Sequence, residues 1–316
     1  MVTRVDETFD DGVLDVGDGH RIRWQRHGNS RGKPAVVLHG GPGSGAGTWW
    51  RAHFDFDRYH VITFDQRGCG GSRPLASDAD ADLSTNTTGH VIGDIERLRR
   101  LFGIESWLVL GGSWGSTLGL AYAQQHPDRV SELVLFSVVT TTGREVQWVT
   151  RDMGRVFPRQ WARFVGAVPA HLRDGDLAYA YSVLLHDPDP RVRFDAAKAW
   201  CEWEDTHVGV TGFVHDRRFD DPVFRLGFAR LVTHYWSHAA WLGETELRDG
   251  MDRVGGIPGA LVTGTADVSG PADIAWGLAQ RWPRARLHIV DGAGHGAGVG
   301  ISAIVRDTID GFGSRW

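Results

Sequence analysis

The sequence predicts an α/β fold, a mostly parallel central sheet flanked by helices with a helical cap inserted between two halves of the core. Three observations carry this. Short apolar runs ending in glycine-rich turns alternate with helix-like stretches as far as about residue 142. The strand rhythm then gives way, from about 143 to 250, to helical stretches rich in tryptophan. It resumes from 251 to 316. A strand-helix-strand rhythm broken by a helical insert divides the chain into a first core part (1–142), a cap (143–250) and a second core part (251–316).

Taken in order, "GVLDV" and "HRIRWQRHG" flank a turn at "GDG", a hairpin signal. "PAVVLHG" and "YHVITFDQRG" are the short apolar runs of buried parallel strands. "TTGHVIGDIERLRRLFG" has helical spacing, with Thr87 or Thr88 as its cap and Gly103 as its stop. "SWLVLGG", the stretch after Ser113 and "SELVLFSV" form a further strand-helix-strand unit. After the insert come the strands "GALVTGTAD" and "RLHIVDGAGH", separated by the helical "PADIAWGLAQRW".

Composition narrows the function. A net charge of -5 advertises no basic face, so no nucleic-acid partner is expected. The two cysteines, Cys69 and Cys201, lack metal-type spacing, so neither a zinc site nor a disulfide framework is indicated. The acidic start "MVTRVDETFDDG" is no secretion signal, and no run approaches the roughly 18 apolar residues of a membrane helix. A soluble cytoplasmic protein without membrane contact is expected; its oligomeric state is left open.

Glycine is costly in both strands and helices, yet Gly111, Gly112 and Gly115 crowd around Ser113 where a strand hands over to a helix. Gly111, Ser113 and Gly115 match G-x-S-x-G, the tight turn that exposes a nucleophilic serine. With 42 glycines in the chain an accidental match is easy, but the flanking strand and helix supply the required context. A serine hydroxyl needs a base, and the base an orienting acid. Asp267 and His295 each follow a late strand, in the chain order such sites use. Asp291 is the rival acid; Asp273 falls inside a predicted helix. "LHGGPGSG", after an earlier strand, suits an oxyanion loop, with the N–H groups of Gly41 and Trp114 as donors. It lacks the Gly-Lys-Ser/Thr ending of a nucleotide loop.

Together "LHGGPGSG", "FDQRGCGGSRP", "NTTGHVIGDIERLR", "GGSWGSTLGLAYAQQHPDRV", "AAKAWCEWE" and "IVDGAGH" resemble, in order, the prolyl iminopeptidases of the α/β-hydrolase superfamily. The resemblance implies an α/β-hydrolase fold carrying nucleophile Ser113, acid Asp267 and base His295. It implies a serine aminopeptidase that releases an N-terminal residue, usually proline, from small peptides or amides, with no metal or cofactor. It also assigns Glu204, in "WCEWE", to the substrate's free amine, a role a carboxylate among aromatics can fill.

This chain departs from the family pattern at three places. Val232, in "ARLVTHYW", stands where the family carries a second amine-binding glutamate. Losing one charge-assisted hydrogen bond, about 1.5–3 kcal/mol, weakens binding roughly 10- to 150-fold. Glu244 or Glu246 is a candidate replacement. "GTAD" and "HGAGVG" also depart from the family's text around its acid and base. The alternatives are an amidase or esterase for a less cationic small molecule, or a noncatalytic binding protein on the same fold. "QRGCGGSRP" borders the site without an assigned role, and Cys69 within it reads as buried and structural.

Overall fold

The computed structural model describes residues 8–211, 215–296, 298–314 and 316. The first seven residues of the acidic amino-terminal stretch and Ala297, after His295, lie outside them.

Eight strands form one sheet: β1 (Thr8–Gly17), β2 (His20–Gly28), β3 (Lys33–Leu38), β4 (Tyr59–Phe64), β5 (Trp107–Gly112), β6 (Val130–Phe136), β7 (Gly259–Gly264) and β8 (Ala285–Val290). Their spatial order is β1-β2-β4-β3-β5-β6-β7-β8. β1 and β2 form the expected antiparallel hairpin, β2 also pairs antiparallel with β4, and the remaining pairs are parallel. The hairpin turns through Asp18 and Gly19, both at positive φ (55° and 76°), the geometry that follows the strands' own twist.

The central strands are apolar throughout because both their faces are covered. Along β3, Ala35 and Val37 enter one apolar cluster while Val36 and Leu38 enter another on the opposite face. Helices α1 (Thr88–Leu101) and α2 (Trp114–Gln125) cover the second of these faces through Val91, Ile95, Leu98 and Leu118. The Thr87 side chain caps α1 by accepting the His90 N–H, and Gly103 at φ 63° follows its end. Thr88, the other candidate, instead donates its hydroxyl to the Ala240 carbonyl at 2.6 Å.

Between β6 and β7 the chain is helical: α3 (Gly143–Thr150), α4 (Pro158–Gly166), α5 (Leu177–Leu185), α6 (Pro190–Val208), α7 (Pro222–Trp236) and α8 (Glu246–Asp249). Residues from Val146 to Val232 close around their own apolar cluster, with Trp200, Trp203, Phe164 and Tyr181 in ring contact. From Tyr235 onward the buried residues, Ala240, Leu247 and Met251 among them, join the sheet's core instead. The return to β7 is made by a last 3-10 turn, Gly250–Arg253. α9 (Ala272–Ala279) packs on the same face as α1 and α2, and α10 (Val299–Gly313) covers the other face through Ile301, Val305 and Ile309. Among the described residues no helix is long and apolar enough to cross a membrane.

Candidate active site

Ser113 sits between the last residue of β5 and the first of α2, at φ 56° and ψ −127°. This conformation is uncommon for a residue with a side chain, and such strain persists only where the surroundings enforce it. The glycines enforce it by allowing backbone contact. A Cβ on Gly115 would lie 2.1 Å from the Leu38 carbonyl oxygen, and one on Gly111 the same distance from that of Gly115. The turn lies against the end of β3, and the hydroxyl is held in a cleft.

The serine, aspartate and histidine proposed from the sequence meet there. His295 Nε2 lies 2.9 Å from Ser113 Oγ, and His295 Nδ1 lies 2.9 Å from each Asp267 carboxylate oxygen. An ionised carboxylate only accepts, so Nδ1 carries the proton and Nε2 presents a lone pair to the serine hydroxyl. Asp267 is fully buried and also accepts the N–H groups of Ser269 (3.1 Å) and Gly270 (2.8 Å). Burial opposes charging of the His295 ring, but the charge and hydrogen bond of Asp267, helped by the charge of Glu204, outweigh it and raise its pKa above the ordinary histidine value. The rival acids are elsewhere. Asp291 accepts the Thr265 hydroxyl at 3.0 Å in an exposed loop, and Asp273 is an exposed residue in the first turn of α9.

Gly41 and Trp114 both line the cleft. Trp114 is the first residue of α2, so its N–H has no acceptor within the helix. The loop carrying Gly41 passes beside the serine: a Cβ on neighbouring Gly40 would lie 3.3 Å from Ser113 Cβ. The motif "FDQRG" holds this arrangement together. Gln66 donates from Nε2 to the His39 carbonyl (3.0 Å) and accepts the Trp114 indole N–H at 2.9 Å; its backbone N–H donates to His39 Nε2 at 3.0 Å. One side chain thus ties the oxyanion-type loop to the residue after Ser113. Cys69 is buried, its Sγ 3.6 Å from His39 Nε2, and burial pushes its thiol well above the usual value.

The cleft runs from Ser113 and His295 to Glu204 on α6. Val146, Val149, Val208 and Trp236 give it apolar walls. Glu204 is not a solvated helix residue and, among the described residues, is not paired with an arginine; its Oε2 lies 3.4 Å from Nε2 of His207, one turn further along α6. Val232 is fully buried in the apolar cluster of the helices. The suggested replacements for the acid absent there do not reach the cleft. Glu244 caps α3, accepting the N–H groups of Gly143 (2.9 Å) and Arg144 (3.2 Å), and Glu246 accepts the N–H of Gly243 (2.8 Å). Both are drawn to unsatisfied backbone N–H groups.

Two further residues of the cleft, Glu145 and His207, were missed in the sequence. Glu145 accepts from the N–H groups of Thr140 (2.8 Å) and Thr141 (2.9 Å) and from the Thr140 hydroxyl. Burial raises its pKa against the pull of these bonds. It shapes the loop that leads from β6 into the cleft. The spacing of Thr142 and Glu145, T-x-x-E ahead of a helix, is the signal that could have found it. No local signal marks His207, whose significance lies in what packs against it.

Comparisons with known proteins bear on the family and the fold. The family described as alpha/beta hydrolase fold matches residues 33–299. A Streptomyces coelicolor protein named "Probable proline iminopeptidase" is 50% identical over 298 residues, 92% of this chain and 91% of its own. The proline iminopeptidase of Xylella fastidiosa is 42% identical over 92% of this chain and 91% of its own, and that of Arabidopsis thaliana 38% over 94% and 78%. Two solved structures agree in fold alone. A proline iminopeptidase of Mycobacterium smegmatis has a TM-score of 0.64 at 22% identity, covering 97% of this chain and 98% of that one. An esterase of Rhodococcus has a TM-score of 0.59 at 20% identity, covering 96% and 98%. On the strength of the curated relatives, which match it along nearly its whole length, the chain belongs to the proline iminopeptidase family of the alpha/beta hydrolase fold.

Proposed function

We propose that the protein is a serine aminopeptidase that releases an N-terminal residue, preferably proline, from small peptides or amides. The observation that carries this reading is the hydrogen-bonded series Ser113–His295–Asp267 in a cleft that also contains the Glu204 carboxylate. The names of relatives up to 50% identical support the same reaction class.

The helices of residues 143–250 act as a cap over core parts 1–142 and 251–316, contributing Glu204 to the cleft. The substrate's ammonium docks on Glu204, which sets its first carbonyl carbon beside Ser113. His295 Nε2 takes the hydroxyl proton as Oγ bonds to that carbon, and the oxyanion accepts the N–H groups of Gly41 and Trp114. The imidazolium, steadied by Asp267, returns the proton to the departing amine nitrogen as the C–N bond breaks. Water then gives a proton to His295 while its oxygen attacks the acyl ester, and Ser113 leaves with that proton.

A second reading keeps the chemistry and changes the substrate to an amide or ester with less positive charge. Val232 in an apolar cluster and His207 beside Glu204 favour it, since both make the cleft less acidic. The test compares prolyl, alanyl and N-blocked prolyl arylamides with simple esters. Loss of cleavage on blocking the amine is expected; unchanged cleavage would overturn the aminopeptidase reading in favour of the second.

A further inference from the structure

Resting on the aminopeptidase reading, we infer that His207 sets the specificity of the amine site by competing, as an imidazolium, with the substrate's ammonium for Glu204. Substrate binding then expels a proton from the cleft.

The hydrogen bonds around His207 fix its protonation. Its side chain is buried, with Nδ1 2.8 Å from Ser269 Oγ. With the Ser269 hydroxyl proton on the His207 carbonyl at 3.1 Å, Nδ1–H donates to Ser269. Nε2 then faces Glu204 Oε2 at 3.4 Å, and among the described residues neither atom has a hydrogen-bond partner. Without a proton there, a lone pair and a carboxylate oppose one another in a buried site, which is costly. A proton on Nε2 turns the contact into an ion pair. In the proposal a proton lies between these two residues until substrate enters.

An incoming ammonium supplies the same charge to Glu204. With the ring still charged, two cations would share one carboxylate, so the ring proton leaves as the substrate enters. The other titratable groups around the pair do not replace this role. Asp267, on the loop after β7, is engaged by His295 and two N–H groups. Glu145 on α3 is held by Thr140 and Thr141, and His295, after β8, is held by Asp267. A neutral substrate leaves the Glu204–His207 pair intact. A site with this pair in place of a second carboxylate thus selects amines most strongly when the ring is neutral.

The test measures KM and kcat for a prolyl arylamide and for a simple ester between about pH 5 and 8, the range in which an imidazole ordinarily changes charge. Wild type is compared with His207→Asn, whose amide can keep the Ser269 bond but places no base against Glu204. In wild type, KM for the arylamide is expected to rise up to about 10-fold per pH unit towards the acid end, with kcat following His295 alone. The variant should lose the arylamide KM dependence, and the ester, which does not draw on Glu204, should show no such KM dependence in either protein. A second measurement leaves position 207 untouched: calorimetry of prolinamide binding to Ser113→Ala in buffers of different ionisation enthalpy should show close to one proton released. Equal KM profiles in both proteins, or no proton released, would overturn the inference with the aminopeptidase reading standing. Absence of prolyl cleavage and of prolinamide binding at every pH would overturn both.

Discussion

His295 Nε2 stands 2.9 Å from Ser113 Oγ across 182 positions of sequence, and its other nitrogen is held by a fully buried aspartate. In the proposed mechanism the oriented ring is the base that takes the serine proton. Ser113→Ala is therefore expected to abolish turnover of prolyl arylamides while leaving the circular dichroism spectrum and thermal transition unchanged. Asp267→Asn presents an N–H where Nδ1–H needs an acceptor, which favours the wrong tautomer; kcat should fall about 10⁴-fold. Residual activity of Ser113→Ala above 1% of wild type would remove Ser113 as the nucleophile.

The acid limb of the pH profile follows from the same ring. In the proposed mechanism His295 acts only when neutral, and Asp267 and Glu204 hold its pKa above the ordinary value against burial. For a simple ester, whose binding needs no carboxylate, kcat/KM should fall as pH drops through that raised pKa. Glu204→Gln removes one source of the elevation, so its acid limb should move to lower pH. The same variant should raise KM for a prolyl arylamide roughly 10- to 150-fold, the cost of one charge-assisted hydrogen bond. An unmoved limb would show that Glu204 does not act on the ring.

Gln66 is the link between two halves of the oxyanion-type site. Gln66→Leu keeps most of the volume but leaves the Trp114 indole N–H and the His39 carbonyl without their partner. Each buried group so orphaned costs about 1–3 kcal/mol, which urea unfolding would register. Because the loop bearing Gly41 loosens, kcat should fall more than KM rises. A stability loss with kcat intact would mean that the clamp serves the fold alone.

How far such relationships can be read from sequence depends on their range. The strands and the residues at their ends are local patterns: an apolar run, then a turn, then Ser113, Asp267 or His295. Gly111 and Gly115 were legible because a close backbone crossing excludes every Cβ. Gln66 was not, because its partner Trp114 is 48 positions away and only the sheet order β4-β3-β5 brings the ends of β4 and β5 near one another. His207 has its hydrogen-bond partner Ser269 62 positions further on. Glu244 looked like a spare acid by composition, yet the open N-terminus of α3 claimed it, since backbone N–H groups compete for any carboxylate within reach.

A test of the fold away from the cleft comes from Glu96 on α1. Its carboxylate accepts from Arg99 Nε (2.7 Å) and Nη2 (2.8 Å) and from the Tyr122 hydroxyl of α2 (2.8 Å), joining the two helices under the sheet. The Arg99 hydrogen bond, outweighing burial, lowers its pKa from the usual 4.5 to about 2. The folded-state value is thus depressed. The stability this group contributes is present in full above the unfolded-chain value and is lost as pH falls from about 4.5 towards 2. Glu96→Gln retains an acceptor but cannot titrate. Its unfolding free energy should lie below wild type at neutral pH, and the difference should close steadily across that window in urea titrations. A constant difference from pH 5 down to pH 2.5 would mean that the proton on Glu96 is not linked to folding.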